Sequence, residues 1–115
     1  MVVGTDLLFR DKEDKSITLG VEVGEDLWNV KNPSLDLALG GATIIANLSA
    51  SNELIGKYQY RKNLINVTSA KTVSAYIYSS SGINESTTDL VYSGYVVLAL
   101  IVVNRISFII KNIII

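Results

Sequence analysis

Between Ser16 and Gly24 the apolar residues Ile17, Leu19, Val21 and Val23 alternate without a break with Ser16, Thr18, Gly20, Glu22 and Gly24. Successive side chains of an extended chain point to opposite sides, so a period of two is the mark of a half-buried strand. The next segments of the chain narrow the fold further. Pro33-Ser34 opens a short helical pattern, Leu35-Asp36-Leu37-Ala38-Leu39, which stops at Gly40-Gly41, where a left-handed cap suits glycine. Thr43-Ile44-Ile45-Ala46-Asn47-Leu48 is then almost continuously apolar, the pattern of a second strand. Strand, helix and strand joined by short connections make a parallel crossover of right-handed sense.

The unit repeats. Gly56 to about Thr72 has the pattern of a helix with Tyr60, Leu64 and Val67 on one face, and Ala75-Tyr76-Ile77-Tyr78 that of a third strand. Parallel strands built this way bring their carboxyl ends to one edge, where ligands usually bind. Gly24-Glu25-Asp26, Ser49-Ala50-Ser51 and Ser79-Ser80-Ser81-Gly82 are therefore expected to converge. Leu90-Val91-Tyr92 meets Tyr95-Val96-Val97 across Ser93-Gly94, a hairpin signal that would finish the sheet antiparallel. Beyond it runs an apolar tail, Val96 to Val103 and Ile106 to Ile115, broken by Asn104, Arg105, Ser107, Lys111 and Asn112. A bilayer span needs about 20 apolar residues and a central Arg or Lys costs roughly 2.5–3.5 kcal/mol, which favours a strand pair over a membrane anchor.

A chain of 115 residues, 49% of them hydrophobic, suffices for one modest domain of mixed α/β (α+β) class. The net charge of -1, with acids and bases interspersed, gives no electrostatic footprint for nucleic acid or an anionic membrane. Cys and His are both absent, which removes disulfides, nearly every zinc or haem site, the imidazole base and the thiolate nucleophile. Met1-Val2-Val3-Gly4-Thr5-Asp6 contains no basic region before a long apolar run, so the cytoplasm is the expected compartment. On that expectation the sequons at Asn47, Asn66 and Asn84 are chance matches.

At the expected edge, Glu25 and Asp26 have the residue types of an acid/base pair, although adjacent acids after a strand more often cap a turn. Ser51 has no His to activate it and is better suited to hydrogen bonding than to attack. Lys57, in the first turn of its helix, has the position of a solvated base.

Three segments together are more specific. Gly20-Val21-Glu22-Val23-Gly24-Glu25-Asp26-Leu27-Trp28, Gly41-Ala42-Thr43-Ile44-Ile45-Ala46-Asn47-Leu48-Ser49-Ala50-Ser51 and Gly82-Ile83-Asn84-Glu85-Ser86-Thr87-Thr88-Asp89-Leu90-Val91 closely resemble the glutaminase (amidase) domain of glutamine-dependent NAD+ synthetase, a nitrilase-superfamily domain. The resemblance covers roughly residues 4 to 95 and divides the chain into a partial nitrilase-like glutaminase domain, 1–95, and a divergent apolar tail, 96–115. It implies a fragment of an α-β-β-α sandwich with a Glu-Lys-Cys triad, whose cysteine attacks the side-chain amide of glutamine and releases ammonia. A separate synthetase domain, with ATP and Mg, uses that ammonia to amidate deamido-NAD+; no part of it is expected in this chain, which should itself carry no cofactor.

By the same resemblance Gly24 stands at the position of the nucleophilic cysteine. Glu25 and Ser51 match residues that hold the polar end of glutamine, Trp28 an aromatic wall of the pocket, and Lys57 the residue that reaches the substrate carboxylate. The family's Glu and Lys lie further upstream than the 23 residues before Gly24, so Lys12 and Lys15 are not assigned to them. The expected protein is an enzyme by family and inactive in this form, because a glycine offers neither nucleophile nor proton. Expected partners are glutamine, the synthetase domain and further copies in a homo-oligomer. The alternatives are a non-catalytic amino-acid-binding or interaction module, and a small protein anchored by its tail.

Overall fold

The computed structural model describes residues 4, 6–51 and 54–82, and the backbone of 96–99. Its elements follow the order β1 (Leu8–Arg10), β2 (Thr18–Val23), a 3-10 turn (Gly24–Trp28), α1 (Pro33–Leu39), β3 (Ile44–Ser49), α2 (Lys57–Thr72), β4 (Ala75–Ser80) and β5 (Val96–Ala99). The strands form a five-stranded sheet in the order β1-β2-β3-β4-β5. The pairs β2-β3 and β3-β4 are parallel, in the register Leu19↔Ile44↔Ala75 to Val23↔Leu48↔Ser79, and β1 and β5 run antiparallel at the two sides. The crossovers and the antiparallel finish are those expected from the sequence. β5 lies within the segment assigned above to the tail. The hairpin turn at Ser93-Gly94 and residues 100–115 lie outside the described residues.

Local chemistry sets the ends of the elements. Pro33 occupies the first turn of α1, where its missing N–H costs nothing. Gly41 leaves α1 at φ 107°, which an L side chain rarely adopts, while Ala42 N–H closes the turn onto Leu37 O at 2.9 Å. Gly56 caps the start of α2 at φ 79°.

Both helices cover the same face of the sheet. The core there consists of Leu27, Leu37, Ala42, Ile45, Ile65, Tyr76 and Tyr78. Two expectations are corrected by this packing. The alternation in β2 implied that its apolar residues face inward, yet Thr18, Gly20 and Glu22 are buried beneath the helices while Val23 is 65% exposed. Gly20 serves the close approach of α1: a Cβ there would meet Leu37 Cδ1 at 3.0 Å. On the opposite face Ile44 and Ala75 form a smaller cluster with Ile17, Leu19 and Ile77. In α2 the buried stripe is Arg61, Ile65, Thr68 and Ser69, one residue on from the expected Tyr60, Leu64 and Val67. Tyr60 and Val67 are exposed and Leu64 only partly buried. The stripe turns because Arg61 lays its guanidinium 5.5 Å from the Tyr78 ring centroid and Ile65 enters the core.

Candidate functional site

The carboxyl ends of β2, β3 and β4 do converge. Val23, Leu48, Ser49, Ala50, Ser79, Ser80, Ser81 and Gly82 line an open cleft of about 480 Å³ along that edge. Its floor is tied by Ser81 N–H to Ser49 O at 2.9 Å and by the Ser81 hydroxyl to the same carbonyl at 3.3 Å.

Gly24 begins the 3-10 turn directly after β2 and is buried. Its backbone does not require glycine, since positive φ among the described residues is confined to Gly41, Gly56 and Val73. The nearest heavy atom to an added Cβ is Ser49 Oγ at 3.1 Å, followed by Ser49 Cα at 3.4 Å. Asp26 turns back to accept the Val23 N–H at 2.9 Å, which is the turn-capping role weighed above. Glu25 is exposed.

The remaining candidates meet the same turn. Trp28 is half-buried and stacks on Tyr60, with ring centroids 5.4 Å apart and planes 23° from parallel. The ammonium of Lys57 stands 5.5 Å from the Trp28 ring centroid, a cation–π contact between the start of α2 and the 3-10 turn. Ser51 is buried; its N–H donates to Ser49 Oγ at 3.2 Å, and its own hydroxyl has no hydrogen-bond partner among the described residues. Gly24 and Ser51 are thus joined through Ser49, and Trp28 and Lys57 through their ring contact, while Glu25 points away into solvent. Glu25, Trp28, Ser51 and Lys57 do not line the open cleft.

A buried polar cluster beneath the edge has no counterpart in the sequence reading. One oxygen of Glu22, Oε1, accepts from Tyr76 Oη and from Asn47 Nδ2 at 3.4 Å; the other accepts the Ser34 N–H of α1 at 3.0 Å. Asn47 Nδ2 also donates to Tyr76 Oη at 3.0 Å. Burial raises the Glu22 carboxyl above its ordinary value against the opposing pull of these donors, and nearby Asp26 adds to the rise. Burial first, then the Glu22 charge, also raises the Tyr76 phenol, so it stays a donor. Among the described residues no cluster of three or more carboxylates is arranged to hold a metal ion.

One mixed sheet with its helices on a single face is a fragment of a nitrilase-type α-β-β-α sandwich. Saccharomyces cerevisiae Nit3, a member of that superfamily, superposes with a TM-score of 0.59 at 17% identity, over 70% of this chain and 29% of Nit3. The glutamine-dependent NAD+ synthetase of Acinetobacter baumannii, solved with ADP, superposes with a TM-score of 0.70 at 21% identity, over 82% of this chain and 17% of that one. In sequence, the glutamine-dependent NAD(+) synthetase of Mycobacterium tuberculosis is 44% identical over 91 residues, 79% of this chain. The chain is related to a segment of glutamine-dependent NAD+ synthetase and has a nitrilase-like fold. It spans 13% of the length of the mycobacterial relative. No protein-family model matches it.

Proposed function

We propose that the chain is the nucleophile-strand portion of a glutamine amidohydrolase domain, inactive in this form. In the complete reaction, glutamine hydrolysis supplies ammonia for the ATP-dependent amidation of deamido-NAD+ to NAD+. The observation that carries the reading is Gly24 itself, at the carboxyl end of β2 and the head of the 3-10 turn, in a backbone that would accept a side chain.

Amide hydrolysis needs an atom to attack the carbonyl and a group to carry the proton to the leaving nitrogen. The sequence holds no Cys and no His, and on this reading Gly24 occupies the position of the family's thiol. Loss of a nucleophile costs on the order of 10⁶ in rate. Glu25, Trp28, Ser51 and Lys57 are assigned to the glutamine pocket, with Ser51 and Glu25 at its polar end, Trp28 as a wall and Lys57 toward the carboxylate. ATP and Mg belong to the synthetase domain. That domain, and further copies in a homo-oligomer, are the partners of this reading, and the cytoplasm its compartment.

Ammonia release from glutamine, read by reductive amination with glutamate dehydrogenase, tests the proposal. Neither the chain nor its Gly24→Cys variant is expected to exceed the buffer rate, since the triad's Glu and Lys are not among these residues. Turnover by either one overturns it. A second reading, a glutamine-binding module without chemistry, is favoured by the buried and unpartnered Ser51 hydroxyl. Titration calorimetry separates the two: heat with glutamine that disappears in Ser51→Ala supports the module, and its absence from the unaltered chain rules the module out.

A further inference from the structure

Ser49 ends β3 beside the start of the 3-10 turn, and its hydroxyl accepts two hydrogen bonds. Oγ accepts the Tyr78 O–H at 2.6 Å and the Ser51 N–H at 3.2 Å. A hydroxyl has two acceptor positions and one hydrogen, so both acceptors are used and the hydrogen remains. It has no acceptor among the described residues. Tyr78 is held rigidly, fully buried, with the Arg61 guanidinium over its ring. A Cβ added at residue 24 would meet this same oxygen at 3.1 Å, a contact that Ser49 must relax by a few tenths of an ångström.

We propose that Ser49, oriented by Tyr78, is placed to donate its O–H to a side-chain acceptor at position 24, which Gly24 itself lacks, and so to set how readily such an atom bears negative charge. The inference rests on residue 24 being the nucleophile position. An O–H aimed at a thiolate favours the charged form, and the Tyr78 bond polarises that O–H further. A thiol buried here without the donor would instead resist ionisation. Ser49 is a positioning and charge-tuning residue for the group at 24, and Tyr78 acts through it.

The test uses Gly24→Cys in the full 115-residue chain, where the introduced thiol is the only one because the sequence contains no other cysteine. Its rate of alkylation by iodoacetamide, followed by mass spectrometry from pH 5 to 10, gives the thiol's titration. Adding Ser49→Ala is expected to raise the midpoint by about one unit, roughly a tenfold loss of thiolate at neutral pH, and adding Tyr78→Phe to raise it part of the way. Ser49→Thr, which keeps the hydroxyl, restores the lower midpoint. A role in packing alone would change the melting temperature and leave the titration where it was. Should the alanine variant fail to fold, Ser49→Thr against Ser49→Val makes the same comparison at constant shape. Coincident titrations with and without the hydroxyl overturn the proposal. Alkylation is independent of glutamine turnover, so this inference and the assignment of residue 24 can fail separately.

Discussion

Among the described residues Val73 is the one non-glycine residue at positive φ. It ends α2 at φ 49°, ψ 44°, the left-handed region, where a β-branched side chain is strained by about 1–2 kcal/mol. Its surroundings hold it there: Ser74 N–H reaches back to Ser69 O at 3.4 Å, and the Ser69 hydroxyl donates to Ser74 O at 2.8 Å. Val73 is 52% exposed and contributes little packing in return. Val73→Gly is therefore expected to stabilise the fold by roughly 0.5–1 kcal/mol, the relief of strain being partly offset by the greater freedom of glycine in the unfolded chain. Urea denaturation of the two proteins measures it, and an unchanged or lowered midpoint contradicts the account. Gly24, by contrast, is a glycine whose backbone does not demand one, since it is not among the residues at positive φ.

At the scale of elements, the Glu22 cluster ties β2 to β3, β4 and α1 by hydrogen bonds from Asn47, Tyr76 and Ser34. Because burial holds the folded-state carboxyl above its ordinary value, folding takes up a proton. The contribution of Glu22 to stability is then fully present below the unfolded value near 4.5 and declines as pH rises through the folded one. Whatever fixed cost the exchange brings, Glu22→Gln should lose less stability than the parent as pH rises from 4.5 through the raised folded value. Denaturation midpoints at several pH values test the difference in slope, and parallel profiles would refute it. The same cluster explains why β2 turns its polar side inward. A buried carboxylate with three donors is tolerable, whereas Val23 in that place would have left Asn47 and Tyr76 without an acceptor.

For the whole molecule, the helices leave one sheet face with Val23 65% and Leu48 59% exposed, side by side in the β2-β3 register. In an α-β-β-α sandwich that face meets a second sheet. The 115-residue chain in solution is expected to bury it by self-association, since contiguous apolar surface of this kind favours assembly. Sedimentation velocity should show species larger than the monomer, and the pair Val23→Lys with Leu48→Lys should shift the distribution toward it. A monodisperse parent that melts cooperatively contradicts this prediction. Among the described residues no helix is long and apolar enough to cross a membrane.

The order of strands and helices from β2 to β4, their parallel pairing and the stop at Gly40-Gly41 were legible in the linear chain because periodicity and turn chemistry are local properties, whereas β1 was not. The three family-like segments were likewise enough to indicate the family. Which side of β2 is covered was not legible, since an alternating strand has two faces and the one chosen depends on distant partners, Glu22 and Tyr76 being 54 residues apart. The buried stripe of α2 and the contact of Ser49 with Tyr78 and residue 24 were decided the same way. Only packing across the sheet brings the Tyr78 phenol within hydrogen-bonding distance of the Ser49 hydroxyl.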